Sequence, residues 1–115
     1  MKIAIIGAGN LGLSIATGIL HSGGSTSMYL TRRHLDALKD FEAYENVTIT
    51  TDNRKAVAAS DILIFAVQPV HFATILDSVQ DLLHENHVLL STITGFSLAS
   101  MEAIVGSKRY IIRAM

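Results

Sequence analysis

The sequence predicts an α/β fold built on a doubly wound parallel sheet of about six strands, with helices on both faces. Three observations predict it. Short apolar runs rich in β-branched residues alternate with stretches of helical periodicity along all 115 residues. The links between them are short, and no internal repeat interrupts the alternation. The first strand turns into the first helix at a glycine-rich bend. Strands and helices that alternate in this way form a parallel sheet covered on both sides.

The opening stretch, residues 2–20, contains that bend. Residues 3–6 are apolar and largely β-branched, as is typical of a buried parallel strand. Gly7, Gly9 and Gly12 follow as G-x-G-x-x-G, where the strand becomes a helix. Apolar residues at helical spacing give that helix a predicted inward face. These residues are Leu11, Ile15, Ala16, Ile19 and Leu20.

Each glycine of this motif has its own predicted role. Gly7 permits the turn, Gly9 lets a pyrophosphate approach the backbone, and Gly12 lets the helix lie against its strand. The free N–H groups around Asn10 and Leu11 would then face the phosphates, aided by the helix dipole. The alternative is an ordinary tight turn in the core. We interpret the bend as the phosphate-binding turn of a Rossmann-type domain.

The rest of the chain continues the alternation. We predict further strands at residues 27–31, 47–50, 62–67, 88–90 and 109–112. Helices are predicted at residues 34–44, from Asp52 or Asn53 to 59, after Pro69, and at 98–105. A turn at residues 22–25 ends the first helix. Ligands bind such sheets beyond the carboxyl ends of the strands, which selects the loops at 7–12, 31–33, 66–69 and 92–96 and the segment at Arg113.

The end of the second strand indicates which nucleotide binds. Folds that take NAD or FAD usually place an acidic residue there, but this chain has Thr31 followed by Arg32 and Arg33. A hydroxyl and two guanidinium groups suit a 2′-phosphate, so we predict NADP(H), with NAD(H) less favoured. The missing carboxylate also argues against S-adenosylmethionine. Alternatively, the two arginines are only solvated surface charges.

Composition excludes other classes of protein. The net charge of −1 and the absence of a basic cluster argue against nucleic-acid binding. There are no cysteines, no signal-peptide cleavage pattern and no apolar run long enough for a bilayer, so we expect a cytoplasmic protein without a membrane partner. His84 and His87 are interpreted as surface polar groups at a helix end, and no metal site is expected. His71 lies near the predicted site, but we expect a solvated or helix-start role.

Six short motifs in the right order resemble the pyrroline-5-carboxylate reductase family. They are IGAGNLG in the opening stretch, TRR at residues 31–33, TDN at 51–53, FAVQP at 65–69, STITGF at 91–96 and RAM at 113–115. The resemblance implies an NADPH-dependent reduction of 1-pyrroline-5-carboxylate to L-proline, in proline biosynthesis. It also implies that residues 1–115 are the dinucleotide-binding domain. In the family a helical C-terminal domain follows, forms the homo-oligomer and completes the substrate pocket, and this chain would lack it.

The resemblance also assigns residues. Gly7, Asn10 and Leu11 would lie at the pyrophosphate, and Thr31, Arg32 and Arg33 at the 2′-phosphate. Asn53 would bond the adenosine part. The ribose and nicotinamide would be lined by Ala66, Val67, Gln68 and Pro69, with Thr94, Gly95 and Met115 near the nicotinamide and substrate. Gln68 stands where the family usually has lysine, and Thr94 where alanine is common.

No catalytic acid–base pair is evident in this chain, and hydride transfer to an imine needs little beyond positioning. We therefore expect the chain to bind NADPH without turnover. Two alternatives stay open. One is another NADP-dependent oxidoreductase with a similar N-terminal domain, such as a deazaflavin-linked NADP oxidoreductase or a hydroxyacid dehydrogenase. The other is a non-catalytic NADP-sensing module.

Overall fold

The computed structural model describes residues 1–22 and 26–114. The six strands are β1 (Lys2–Ile6), β2 (Ser27–Thr31), β3 (Val47–Thr50), β4 (Ile62–Phe65), β5 (Val88–Ser91) and β6 (Tyr110–Arg113). The four α-helices are α1 (Asn10–His21), α2 (Asn53–Ala58), α3 (Pro69–Val79) and α4 (Leu98–Val105). Two 3₁₀ segments, Leu35–Ala43 and Gln80–Leu82, complete the described elements. Of the turn predicted at residues 22–25, residues 23–25 lie outside the described residues.

The strands form one parallel sheet in the order β3-β2-β1-β4-β5-β6. This is the Rossmann order, in which the chain builds outward from β1 to β3 and then restarts at β4 on the other side of β1. The point where the direction reverses therefore lies between β1 and β4, whose carboxyl ends are Ile6 and Phe65. The predicted fold class is confirmed.

The sheet separates two apolar cores. Alternate residues of β1 point to opposite faces, because side chains alternate along a strand. Ala4 and Ile6 belong to the core shared with α2, α3 and α4. Ile3 and Ile5 belong to the core shared with α1 and the 3₁₀ segment Leu35–Ala43. Helices thus cover both faces, as predicted, and fix the carboxyl edge where the loops converge.

The predicted helix at residues 34–44 is wrong in type, because Leu35–Ala43 is a 3₁₀ helix. Its apolar side chains explain the difference. Leu38 is buried, and Leu35 and Phe41 pack beside it against the same core. A spacing of three residues matches the 3₁₀ period of about 3.0 residues per turn, which places all three on one line. The same spacing is also compatible with the α period of about 3.6, so the sequence alone did not separate them.

The predicted inward face of α1 is wrong at Leu11, which is 52% exposed. The buried residues of α1 are Gly12 and Ala16, one helical turn apart. Leu11 precedes Gly12 by one residue and so lies about 100° around the helix from it. Ile15 and Ile19 pack partly against the core as expected.

No helix among the described residues is long and apolar enough to cross a membrane.

Candidate functional site

The glycine bend after β1 requires glycine at its first position. Gly7 has a φ of +78°, a conformation that side chains disfavour. A Cβ built there would overlap Val67 Cγ1 and lie 3.1 Å from Val67 Cα. The bend therefore packs directly against the loop that follows β4. This close approach joins the two central strands at the point where the strand order reverses.

The other two glycines differ in what surrounds them. A Cβ at Gly12 would lie 3.2 Å from Ile5 Cγ2, so α1 lies close against β1, as predicted. A Cβ at Gly9 would meet only Gly7 O, at 4.0 Å. No contact among the described residues therefore demands glycine at position 9. Its predicted role, the close approach of a ligand to the backbone, stays a prediction.

The start of α1 leaves backbone donors open. Gly9 is the N-cap and supplies no side-chain cap. Its own N–H donates to Gly7 O at 2.7 Å, and the Leu13 N–H donates to Gly9 O at 2.8 Å. Within the described residues, the N–H groups of Asn10, Leu11 and Gly12 have no acceptor. Open amides and the positive end of the helix dipole together favour an anion at this position.

The end of β2 is tied to the bend by three hydrogen bonds. The Gly7 N–H donates to Thr31 Oγ1 at 3.1 Å. The Ala8 N–H donates to the Thr31 carbonyl at 2.7 Å. The Arg32 Nη1 donates to the Ala8 carbonyl at 3.3 Å. The residues predicted to select the nucleotide therefore also hold the turn predicted to bind its pyrophosphate.

A cavity of about 530 Å³ opens at this edge, within the range of small-molecule sites. Its walls come from the glycine bend, the end of β2, the loops after β3 and β4, and the first turns of α3. Among the described residues these walls contain four basic side chains and no carboxylate. The lining residues are Gly7, Gly9, Thr31, Arg32, Arg33, His34, Thr51, Asn53, Ala66, Val67, Gln68, His71 and Ile75.

Nine of the residues predicted for the site line this cavity, and six do not. Gly12 is buried beneath α1, and Asn10, Leu11 and Pro69 are exposed at the starts of α1 and α3. Thr94 and Gly95 are exposed in the loop after β5, outside the cavity walls. Met115 lies outside the described residues. The assignments of these residues stay predictions.

Four lining residues were not predicted: His34, Thr51, His71 and Ile75. Thr51 directly follows the end of β3, and His34 directly follows the predicted loop at 31–33. The rule that ligands bind beyond the carboxyl ends of the strands could therefore have found both. His71 and Ile75 are four residues apart in α3 and therefore share one face. For His71 we expect a solvated or helix-start role, and it lies in the first turn of α3, in the cavity wall.

Helix α2 places Asn53 at the cavity. Asp52 is the N-cap, and its carboxylate accepts hydrogen bonds from the Arg54 and Lys55 N–H groups at 3.0 and 3.2 Å.

Arg54 makes a two-bond contact with Asp81, at 2.6 and 2.9 Å, and also donates to the Ser78 carbonyl. This contact lowers the pKa of Asp81 and raises the pKa of Arg54, chiefly through the hydrogen bonds between them. It ties the wall that carries Asn53 to the helix that carries His71.

His87, expected at the surface, is buried at the opposite edge of the sheet. Its Nδ1 accepts from the His84 N–H at 3.1 Å, and its Nε2 lies 3.2 Å from the Val57 carbonyl, so Nε2 carries the proton. Burial, and secondarily the nearby His84, lower the pKa of His87. The imidazole is therefore a neutral structural group. Residues 1–22 and 26–114 contain no group of three or more side chains suited to a metal ion.

Comparisons with known proteins agree with this geometry. A family model described as NADP oxidoreductase, coenzyme F420-dependent, matches residues 2–95. Pyrroline-5-carboxylate reductase 2 of Dictyostelium discoideum is 37% identical over 118 residues, covering 99% of this chain and 40% of that protein. The structure of a pyrroline-5-carboxylate reductase from Coxiella burnetii superposes with a TM-score of 0.91 at 28% identity, covering 98% of this chain and 43% of that one.

A more distant structure shows the same fold. Plasmodium falciparum pyrroline carboxylate reductase, solved with NADP bound, matches with a TM-score of 0.82 at 20% identity, covering 98% of this chain and 41% of that one. The chain thus spans about two fifths of the length of these proteins. The predicted resemblance to pyrroline-5-carboxylate reductases is confirmed. Because the family model matches well over half of its residues, the chain belongs to the family of NADP oxidoreductases that this model describes.

Proposed function

We propose that this chain binds NADPH as the cofactor domain of an enzyme that reduces 1-pyrroline-5-carboxylate to L-proline. One observation carries the proposal: a single cavity joins the glycine bend to Arg32 and Arg33, with no carboxylate in its described walls. The similarity to pyrroline-5-carboxylate reductases supports the substrate. The share of those proteins that the chain spans supports its role as one domain, 1–115, with a helical domain supplied by further sequence.

The described residues fit a dinucleotide. The open amides of α1 suit a diphosphate, and the absence of protein contacts at Gly9 leaves room for that diphosphate against the backbone. Arg32 and Arg33 suit a 2′-phosphate, and Asn53 the adenosine part. We assign the loop from Ala66 to Pro69 to the ribose and nicotinamide, with Thr94 and Gly95 farther along the same edge.

The preference for NADP over NAD rests on charge. In NAD-binding domains a carboxylate at the end of the second strand accepts hydrogen bonds from the ribose hydroxyls. Here Thr31 occupies that position, and its oxygen already accepts the Gly7 N–H. A 2′-phosphate would meet Arg32, which is half-buried, and Arg33, which is exposed. Membership of an NADP oxidoreductase family agrees with this preference.

The chemistry needs few groups from this chain. NADPH held by this chain would supply a hydride for the imine carbon, and the imine nitrogen would take a proton. This chain binds the cofactor and orients its nicotinamide. We assign the substrate pocket and the homo-oligomer contacts to the further helical domain. Residues 1–115 alone should therefore bind NADPH and show no reduction of pyrroline-5-carboxylate, and measurable turnover would contradict this division of roles.

The first test is Arg32→Ala. We expect it to weaken NADPH binding by about 1.5–3 kcal/mol, the range for a hydrogen bond to a charged group, and to weaken NADH binding much less, because for NADH only the long Arg32 Nη1 contact with the Ala8 carbonyl, at 3.3 Å, is lost. Fluorescence titration with each nucleotide measures both affinities. Lys108→Ala removes a positive charge outside the cavity walls and serves as the control. Equal losses for NADPH and NADH would refute the assignment of Arg32.

A second candidate is a coenzyme F420-dependent NADP oxidoreductase, which the description of the matching family model favours. Both candidates use the same NADP site, so nucleotide binding does not separate them. An assay of the longest natural form of the protein with NADPH and either pyrroline-5-carboxylate or oxidised F420 would. Turnover with NADPH and F420 but not with NADPH and pyrroline-5-carboxylate would show that F420 is the substrate. Binding of NADPH without turnover of either would favour an NADP-sensing module.

A further inference from the structure

We infer that Thr31 is a positioning residue for the pyrophosphate-binding bend rather than a ligand of the 2′-phosphate. The inference rests on the proposed function, because it concerns the same nucleotide site. It assigns the side chain that occupies the specificity position to a task common to NADPH and NADH. Recognition of the 2′-phosphate is then left to Arg32 and Arg33.

The contacts of Thr31 carry this inference. Thr31 lies at the carboxyl end of β2 and is only 1% exposed. Its Oγ1 accepts from the Gly7 N–H at 3.1 Å, and its carbonyl accepts from the next amide, Ala8, at 2.7 Å. Two consecutive amides of the bend are thus held by one residue. A backbone N–H that loses its acceptor in a part-buried position is costly, so the hydroxyl stabilises this conformation of the bend.

Burial limits what else the hydroxyl can do. Its single hydrogen could still donate to a phosphate, but a residue that is 1% exposed presents little of its surface to a ligand. The neighbouring arginines are better placed, since Arg32 is half-buried and Arg33 exposed in the same cavity wall. A charged guanidinium also forms stronger hydrogen bonds to phosphate than a hydroxyl does.

A consequence follows for selectivity. NADPH and NADH share the pyrophosphate and differ in the 2′-phosphate. Loss of the Thr31 hydroxyl should disturb Gly7 and therefore the open amides at the start of α1, and so weaken both nucleotides alike. Loss of a 2′-phosphate ligand would instead weaken NADPH much more than NADH, as expected for Arg32→Ala.

The test compares Thr31→Val, which keeps the shape and removes the hydroxyl, with Thr31→Ser, which keeps the hydroxyl. We expect Thr31→Val to raise the dissociation constants of NADPH and NADH each by about tenfold, the loss of one hydrogen bond. Thr31→Ser should stay within about twofold of the wild type for both. Adenosine 2′-monophosphate has the 2′-phosphate and no pyrophosphate, so its binding, followed by NMR, should be unchanged in Thr31→Val. The Gly7 amide should lose exchange protection in Thr31→Val and keep it in Thr31→Ser.

Other results overturn the inference. A loss confined to NADPH, or weaker binding of adenosine 2′-monophosphate to Thr31→Val, would make Thr31 a phosphate ligand. Unchanged binding of both dinucleotides would make the hydroxyl immaterial to the bend. Should Thr31→Val fail to fold, the wild-type Gly7 amide decides, since free exchange there would exclude the hydrogen bond. If the wild type binds neither dinucleotide, the proposed function fails and this inference falls with it, even where Gly7 is protected.

Discussion

All four α-helices begin at the carboxyl edge of the sheet, but they begin in two different ways. Helices α2 and α4 are capped by side chains: Asp52 accepts from two amides of α2, and Ser97 accepts from the Ser100 N–H at 3.1 Å. Helices α1 and α3 have no side-chain cap, with Gly9 and Gln68 at the cap positions. The uncapped helices are the ones that follow β1 and β4, the two strands at which the strand order reverses.

The difference separates stability from binding. A side chain at an N-cap satisfies amides that water or a ligand would otherwise take. The chain provides such caps at α2 and α4, which do not follow the two strands at which the strand order reverses. It omits them at the two positions where a parallel α/β sheet binds ligands. At α3, Pro69 has no N–H and the His71 N–H donates to the Gln68 carbonyl, so α1 offers the larger set of open donors.

The largest effect expected at this edge is that of Gly7→Ala. The added methyl group would overlap Val67 in a backbone conformation that alanine disfavours. Backbone strain and overpacking cost about 1–3 kcal/mol each, so we expect the free energy of unfolding to fall by roughly 2–6 kcal/mol. Urea denaturation measures it. The control is Gly18→Ala, at an exposed position in α1 where, apart from its chain neighbours and the backbone of its own helix, no described atom lies within 4 Å of the added Cβ; it should raise the free energy of unfolding by about 0.5–1 kcal/mol. A Gly7→Ala protein as stable as the wild type would show that the bend does not need glycine there.

Gly9→Ala should instead leave the stability of the protein nearly unchanged and weaken nucleotide binding. Its φ of −78° suits alanine, and beyond its two chain neighbours the methyl group would meet no described atom closer than 4.0 Å. We expect the free energy of unfolding to change by less than about 1 kcal/mol. NADPH and NADH should both bind at least about tenfold more weakly, or about 1.4 kcal/mol, since the methyl group would stand between the bend and a diphosphate. Calorimetric titration with both nucleotides tests this. Unchanged affinity would show that the diphosphate does not bind at the bend.

Much of this edge could be predicted from the sequence because local chemistry determines it. The spacing of Gly7, Gly9 and Gly12 requires a strand–turn–helix, and Asp52 is a residue that caps helices. The parallel sheet covered on both faces followed from the alternation of elements and the short links. The predicted cavity residues at Arg32 and Arg33 needed only the position at which β2 ends.

What could not be predicted depends on contacts between distant residues. The burial of His87 requires the carbonyl of Val57, 30 residues earlier in the chain. The acceptor role of Thr31 requires Gly7, 24 residues away. No spacing rule relates these pairs, because the sheet alone brings them together. The exposure of Leu11 likewise reflects how α1 lies on β1, with Gly12 facing the strand so that a Cβ there would lie 3.2 Å from Ile5 Cγ2.

The smallest effect should come from the capped N-terminus of α4. Ser97→Ala removes the acceptor of the Ser100 N–H and should lower the free energy of unfolding by about 1 kcal/mol. Ser97 is outside the cavity walls, so NADPH affinity should stay the same. Thermal or urea unfolding, with a parallel NADPH titration, gives both quantities for Ser97→Ala beside Gly9→Ala. If Ser97→Ala weakened NADPH binding as much as Gly9→Ala does, capped and uncapped helix starts would not differ in function. The open amides of α1 would then not indicate a ligand site.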